Sequence, residues 1–518
     1  VPTANEKLAA ALDELRGLQD DGSRVFASAQ LTRTSRERLV KHGFLQEVMK
    51  GWLMSSSPST LPGDTTPWFA SFWEFCRRYC DARFGTEWHL SPEQSLLIHA
   101  ANTTIPKQVI IYSPKANNNR TDLLFGTSFF VLKEKELPAA DELETKDGLR
   151  LFRIAAAITR VNEEFFVRYP IETQVIASAI QDPSQLLVRL LDGGHSTIAG
   201  RLAGLFRRLG RPELADEIVK AMKAADHVVR ETDPLEPGRV VYVPRPATPP
   251  VIGRLQALWA AAREVVLAEF PKASRIPVDQ GAYLHTIEGV YELDAYHSLS
   301  IEGYQVTPEL IERVATGAWD PEKESADRDS KAALAARGYW LAFERVRNDV
   351  KRILASDNAP HIVRTAHRDW YREMFSPHVA AGLMEAKILA GYRSGPVYIR
   401  GSQHVPPRWE VVPDAMGALF DLIQNEAEAS VRAVLGHWLF GYVHPFPDGN
   451  GRVARFVMNT LLAAGGYPWT IIQVDNRDEY LATLEIASVA SDVRPFAGFV
   501  AKQMQRTGAL LAKSAKAR

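Results

Sequence analysis

The chain has 518 residues, 46% apolar and 24% charged, enough for two or three domains with packed cores. Its formal net charge of −1 excludes a global field that would select nucleic acid or acidic lipid, so any such preference has to come from a local patch. No apolar run approaches the roughly 18 residues of a membrane-spanning helix and the N-terminus carries no signal-peptide pattern, so a cytoplasmic protein without membrane association is expected.

Residues 5–19 read as an amphipathic helix through Leu8, Leu12, Leu15 and Leu18. Ser23 to Gln30 is expected as a short second helix, and Thr32 or Thr34 as the cap of a third that runs to Gly43. Phe44 to Met54 suits two short strands around the turn pair Lys50-Gly51. Helix, helix, helix, hairpin is the order of a winged helix, so residues 1–60 are expected as a winged-helix-like domain. The third helix carries Arg33, Arg36, Arg38 and Lys41, a basic patch that suits DNA contact; a solvated face on a protein-docking domain is the alternative.

Residues 55–66 are a loop by composition, and a helix from Trp68 to Ala82 follows. Cys76 and Cys80 share one face of it, poorly placed for a disulfide and without further metal ligands, and are expected in the core. Between 83 and 137 the pattern turns to β-like runs, Gln108 to Ser113 and Leu123 to Glu134. After Glu142 helical segments run to Ala224, including Arg201 to Leu209 and Pro212 to Lys223. Residues 61–228 are therefore expected as a mixed α+β section and then a helical one. The order over residues 5–225 resembles the AbiEi-type antitoxins and their regulator relatives, and that resemblance implies operator binding and self-regulation.

Residues 229–250 hold six prolines and form the clearest linker, with the domain boundary inside it. From 251 to 518 the chain reads as mainly helical: 251–269, 280–298, 308–316, 328–355, 359–375, 378–391, 413–424, 427–442, 450–465 and 477–489. One β-like interruption, Val397 to Val412, carries Gly401 and Pro406-Pro407. The final residues, Lys513 to Arg518, are basic and expected to fray. The fold class is mainly α, with strands confined to the N-terminal half and this interruption.

The stretch on which the functional reading turns is His444-Pro445-Phe446-Pro447-Asp448-Gly449-Asn450-Gly451-Arg452-Val453-Ala454-Arg455. Gly449 and Gly451 allow positive φ and remove side chains, so that successive backbone N–H groups converge on an anion. A helix that starts near Asn450 aims its positive end at the same place. Transfer of a nucleotidyl group needs a base for the incoming hydroxyl, and a histidine at His444 suits that task at neutral pH. The N–H groups of the Gly449–Gly451 turn, Asn450, Arg452 and a metal would meet the charge on the phosphate oxygens. Asp448 suits Mg²⁺, which takes one or two carboxylates together with phosphate oxygens. A lone histidine is ordinarily a hydrogen-bonded structural residue, and that role is assigned to His404 and His437.

His-Pro-Phe-x-Asp-Gly-Asn-Gly-Arg-x-x-Arg matches the signature of the Fic proteins at every fixed position, and the resemblance runs from about 255 to 505. It implies an all-helical domain with a β-hairpin flap, and a transferase that moves AMP from ATP onto a Ser, Thr or Tyr hydroxyl of a target protein. It further implies that Arg452 holds the β-phosphate side and Arg455 pairs the γ-phosphate. Phe446 is expected to pack inward and fix the loop.

Ser298-Leu299-Ser300-Ile301-Glu302-Gly303 fits the inhibitory-helix motif Ser/Thr-x-x-x-Glu-Gly/Asn of many Fic proteins, placed N-terminal to the catalytic motif. Glu302 would compete with the γ-phosphate for Arg455, and Ser298 would orient it from one turn earlier. An ordinary helix end capped by Gly303 is the plainer alternative. The resemblance also implies a target-gripping flap at Val397, Tyr398 and Ile399 and adenine contacts at Tyr480. Relatives carry an asparagine where this chain has Ser488, which leaves a UMP or GMP donor as an alternative to ATP; a Fic-fold enzyme that uses a phosphocholine carrier is a separate alternative. Some inhibited relatives also remove AMP, and such relatives are often homodimers. The other alternative is a DNA-binding regulator whose Fic half only senses nucleotide.

Overall fold

The computed structural model describes residues 3–60, 63–236, 241–242, 248–273, 280–319, 330–355 and 358–517, with side chains to residue 509. The chain divides into two compact units: Val1–Arg239 with Val243–Pro250 and Tyr398–Val405, and Val240–Tyr242 with Val251–Val397 and Pro406–Arg518.

The first unit begins with the helix Ala4–Gln19, started by a capping box between Thr3 and Glu6. The strands β1 (Val25–Ala27), β2 (Leu45–Met49) and β3 (Trp52–Ser55) form an antiparallel sheet in the order β1-β3-β2, and the helix Arg33–Lys41 is capped by Thr32. The helix expected at Ser23 to Gln30 is instead β1 followed by one 3-10 turn, Ser28–Gln30. Successive residues of a strand face opposite ways, and this segment needs that: Val25 enters one core and Phe26 another.

The helix Thr66–Phe84 lays Trp68, Phe72, Phe75 and Tyr79 against a second sheet. The strands β4 (His89–Leu90), β5 (Gln108–Ser113), β6 (Asn119–Asp122) and β7 (Ser128–Lys133) run there in the order β4-β5-β7-β6, with only β5 and β7 parallel. Cys76 and Cys80 are free and buried in this core. The run expected from Leu123 to Glu134 is broken by a 3-10 turn at Leu124–Gly126, and the helix Pro92–His99 has no counterpart in the periodicity. A hairpin, β8 (Leu143–Lys146) and β9 (Leu149–Phe152), precedes the helices expected after Glu142. Its turn is Asp147-Gly148, both at positive φ, the pair that a two-residue hairpin prefers.

In the second unit the helices agree closely with their periodicity, among them Pro250–Glu269, Gln280–Ile301, Lys331–Leu354, Val412–Asn425, Ala429–Val443, Asn450–Ala464 and Arg477–Ala490. Lys331–Leu354 and Ala359–Ala380 pack so closely that a Cβ on Gly338 would stand 2.0 Å from the Met374 carbonyl oxygen. Ala359–Ala380 runs through Pro377, where a break was expected. Proline cannot donate to the Glu373 carbonyl, and the Ser376 hydroxyl donates there instead (3.1 Å). The helix expected at 378–391 reduces to a 3-10 segment, Ala386–Ala390, and a final helix, Arg494–Ala517, takes in the residues expected to fray except Arg518, which lies outside the described residues.

Ala429–Val443 is buried on nearly every side and is the spine of this unit. It carries His444 at its C-terminal end and packs against Asn450–Ala464. No helix among the described residues is long and apolar enough to cross a membrane. The paired flap expected over 397–412 is not formed. The segment is extended apart from a turn in which the Ser402 N–H donates to the Ile399 carbonyl (3.1 Å) and a 3-10 turn at Trp409–Val411. Pro396, Pro406 and Pro407 lack the N–H groups that a ladder would use. Tyr398 to Val405 belong to the first unit, where the Ile105 N–H donates to the Gln403 carbonyl.

Candidate active site

His444 ends the Ala429–Val443 helix in the left-handed conformation (φ 52°, ψ 60°). Pro445 disfavours the right-handed helical region for the residue before it, so the chain leaves the helix abruptly and the imidazole stands at the bend. Its Nδ1 lies 3.1 Å from the Gly441 carbonyl, which can only accept, so Nδ1 carries the proton and Nε2 keeps a lone pair. Burial pushes the imidazole down to about 4; the Gly441 hydrogen bond pulls upward and Arg393 pushes further down. The ring is therefore neutral at physiological pH.

Buried Arg393 holds the backbone on which His444 sits. Its Nε donates to the His444 carbonyl (2.8 Å), its backbone N–H to the Pro445 carbonyl (2.9 Å), and its guanidinium also reaches the Pro407 carbonyl. Nothing in the local pattern around Arg393 signals this role. Phe446 packs inward as expected, stacked on Tyr371 with ring centres 4.0 Å apart.

Gly449 (φ 73°) begins the helix Asn450–Ala464, and a Cβ there would stand 2.7 Å from the Phe375 ring. The first N–H groups of that helix have no intrahelical acceptor and form its positive end. The Asn450 side chain, expected to face phosphate, is committed elsewhere: Oδ1 accepts from the Phe446 N–H and Nδ2 donates to the Phe446 carbonyl, both at 2.8 Å. It locks the loop, and only its backbone N–H remains for an anion. Arg452 is 1% exposed, and its Nε and Nη1 have no hydrogen-bond partner among the described residues. Its ion pair to Asp448 is 3.5 Å long, and half of the Asp448 side chain is exposed. A buried guanidinium with orphaned donors beside a helix N-terminus is built for an oxyanion. Among the described residues no cluster of three or more His, Cys, Asp or Glu side chains could hold a metal unaided.

The opposite wall comes from 153 to 157 residues earlier in the chain. Arg455 donates from Nε to the Ser298 hydroxyl (2.9 Å) and from Nη2 to the Ser298 carbonyl (3.1 Å) and to Glu302 Oε1 (2.7 Å). A Cβ on Gly451 would stand 2.6 Å from Glu302 Oε1, so the carboxylate sits against the positive end of the Asn450–Ala464 helix. Burial pushes the Glu302 carboxyl up, but Arg455, Arg452 and the Arg455 hydrogen bond outweigh it and hold the group below the ordinary carboxylate value. Gly303 (φ 89°) does cap its helix: its N–H donates to the Ser300 carbonyl and the Tyr304 N–H to the Leu299 carbonyl, the pair of bonds that makes a Schellman turn. The cap reading and the Arg455 contact hold together, because the cap is what places Glu302.

Residues 360–462 match the Fic/DOC family. They form a Fic domain. The chain is 39% identical over 120 residues to a protein adenylyltransferase Fic of Nematostella vectensis, covering 22% of this chain and 27% of that protein. Similar matches are 38% over 120 residues to the Drosophila willistoni protein (22% and 24%) and 35% over 117 residues to Caenorhabditis elegans fic-1 (22% of each). The aligned stretch thus spans about a quarter of the curated relatives it matches. Among solved structures, C. elegans Fic-1 (aa134–508) is 17% identical, covering 67% of this chain and 99% of that one, with a TM-score of 0.37. A Fic domain containing signaling protein from Bacteroides thetaiotaomicron is 18% identical, covering 52% and 97%, with a TM-score of 0.38.

Two further positions in the Fic domain and its C-terminal helices depart from expectation. Tyr480, expected at adenine, is 2% exposed with its hydroxyl 2.9 Å from His437 Nε2, and the Ser488 hydroxyl accepts from the Trp438 indole (3.1 Å). Both are core groups, because the Arg477–Ala490 helix turns that face inward. His437 and His404 are buried structural residues as expected. In the first unit, Arg33 pairs with Glu37 (2.8 Å), Arg36 and Arg38 donate to the Ser28 and Lys7 carbonyls, and Lys41 is exposed.

Proposed function

We propose that the chain is a protein adenylyltransferase that transfers AMP from ATP to a Ser, Thr or Tyr hydroxyl of a target protein, and that Glu302 holds it in an inhibited state. The observation that carries the reading is the pairing of His444, neutral with an unprotonated Nε2, with the anion cradle of Gly449–Arg452. The target hydroxyl gives its proton to Nε2 as its oxygen bonds to the α-phosphorus, and the bond to the β-phosphate oxygen breaks to release pyrophosphate. The first-turn N–H groups and Arg452 take up the charge on the phosphate oxygens, and Arg455 takes the γ-phosphate once Glu302 has left it. Asp448, half exposed and a hard oxygen donor, fits a magnesium ion completed by phosphate oxygens, and the ion would supply charge neutralisation there. A cytoplasmic setting accords with this use of ATP and with the two free buried thiols.

Inhibition follows from occupancy. The Glu302 carboxylate lies where an anion would bind, against Gly451 and on Arg455, so a triphosphate and this glutamate compete for one cation. The test is incubation of Glu302→Gly with each nucleoside triphosphate and Mg²⁺, followed by intact-mass measurement. A gain equal to AMP, from ATP only and larger than in wild type, is expected; a gain from another nucleotide assigns a different donor. No gain from any nucleotide removes the transferase reading.

For the first unit we infer a winged-helix, DNA-binding role. The helix Arg33–Lys41 beside the sheet β1-β3-β2 supports it, while the internal partners of Arg33, Arg36 and Arg38 reduce the charge free to meet phosphate. A gel shift of the full chain on its own promoter tests this, and absence of a complex at low salt removes it.

A further inference from the structure

The segment that ends the Gln280–Ile301 helix touches the cradle twice. Glu302 takes Arg455. Tyr304, two residues on, lies over Arg452 with its ring centre 5.3 Å from the guanidinium carbon, and Phe375 lies over the same group at 5.1 Å. Aromatic rings contain this charge, since among the described residues Nε and Nη1 of Arg452 have no hydrogen-bond partner and Asp448 is 3.5 Å away. The two contacts share one cause. Gly303, at φ 89°, turns the chain back, and the bonds from the Gly303 and Tyr304 N–H groups to the Ser300 and Leu299 carbonyls fix where both side chains land. Drawing the segment off Arg455 draws the Tyr304 ring off Arg452.

We propose that Tyr304 is a second inhibitory contact, so that one capped helix end closes on both phosphate-binding arginines at once, Glu302 on Arg455 and Tyr304 on Arg452. The proposal rests on the adenylyltransferase reading and on inhibition by Glu302. Tyr304 acts here as a positioning residue: it touches no reacting atom, and its ring adds to the free energy that separates closed from open. The transfer rate follows the open fraction, and a cation–π contact shifts that fraction by about two- to tenfold.

The experiment measures ATP-dependent AMP incorporation by the full chain in wild type, Tyr304→Ala, Tyr304→Phe, Glu302→Gly and Tyr304→Ala/Glu302→Gly, with melting curves for each. Tyr304→Ala is expected to raise the rate about two- to tenfold over wild type. Tyr304→Phe, which keeps the ring, should stay at the wild-type rate; a general packing defect in Tyr304→Ala would lower the melting temperature without raising the rate. In the double variant the alanine should add little, because the segment is already released. If Glu302→Gly is active while Tyr304→Ala matches or falls below wild type, the second contact is refuted and the transferase reading stands. If Glu302→Gly is silent as well, the transferase reading fails and takes this proposal with it.

Discussion

Glu302→Gln is the sharpest perturbation of the site, because it keeps the shape of the side chain and the Gly303 turn while removing the charge. In the wild-type protein Glu302 Oε1 stands 2.7 Å from Arg455 Nη2; the Arg455 side chain is 5% exposed and that of Glu302 27%. Breaking a fully buried ion pair by removing one partner costs about 3–5 kcal/mol. Partial exposure of the glutamate lets water screen the pair, which brings the expected loss to about 1–3 kcal/mol. Two readouts should move in opposite directions. Urea unfolding of the ligand-free protein should show that loss, because the buried guanidinium keeps its Ser298 bonds and a neutral amide oxygen but loses the Glu302 charge. AMP incorporation should rise about 5- to 150-fold, the same free energy expressed as relief of competition for Arg455. The effect has a sign in pH as well. The Glu302 carboxyl is held below its ordinary value, so its contribution is fully present above that value and is lost only as pH falls through the lower, folded one. Acidification to pH 5 should therefore not release the wild-type enzyme. A Glu302→Gln protein with wild-type stability and wild-type incorporation would refute the competition argument, since the pair would then be contributing nothing at either readout.

His444→Ala should reduce AMP incorporation by at least about 100-fold in the Glu302→Gly background while ATP affinity, measured by calorimetry, changes little, since the imidazole acts on the target proton and the cradle holds the phosphates. The acid limb of kcat/KM in that background should fall well below 6.5, because burial pushes His444 down to about 4 and the base works only when neutral; a limb at 6.5 or above would contradict this. Asn450→Ala should destabilise the protein by about 2–3 kcal/mol in urea unfolding, for two buried hydrogen bonds to Phe446 lost and their partners left unpaired.

Much of the second unit was legible because its signals are local. Apolar spacing located most of its helices, and the glycines of the 444–455 stretch announced a turn that feeds a helix N-terminus. Other features were misread where a local signal competes with a distant partner. Ser23 to Gln30 has helical propensity, yet Met54 and Leu53 pair it as a strand. Pro377 looks like a stop, yet a neighbouring hydroxyl takes the orphaned carbonyl. The Asp147-Gly148 hairpin was a readable signal that the expectation of helix after Glu142 overran.

The sequence by itself determined the chemistry within reach of one turn of chain: a histidine, an acid, two glycines and two arginines whose spacing builds an anion cradle. Only the tertiary structure decided which side chains meet that cradle from far along the chain. Burial of the Ala429–Val443 and Asn450–Ala464 helices brings up Glu302 and Ser298 to Arg455, Tyr304 and Phe375 to Arg452, and Arg393 to the His444 backbone. It also turns Tyr480 and Ser488 into the core. Local periodicity specifies which face of a helix is apolar, but which neighbour covers that face depends on the packing of the whole unit, and no window of sequence contains it.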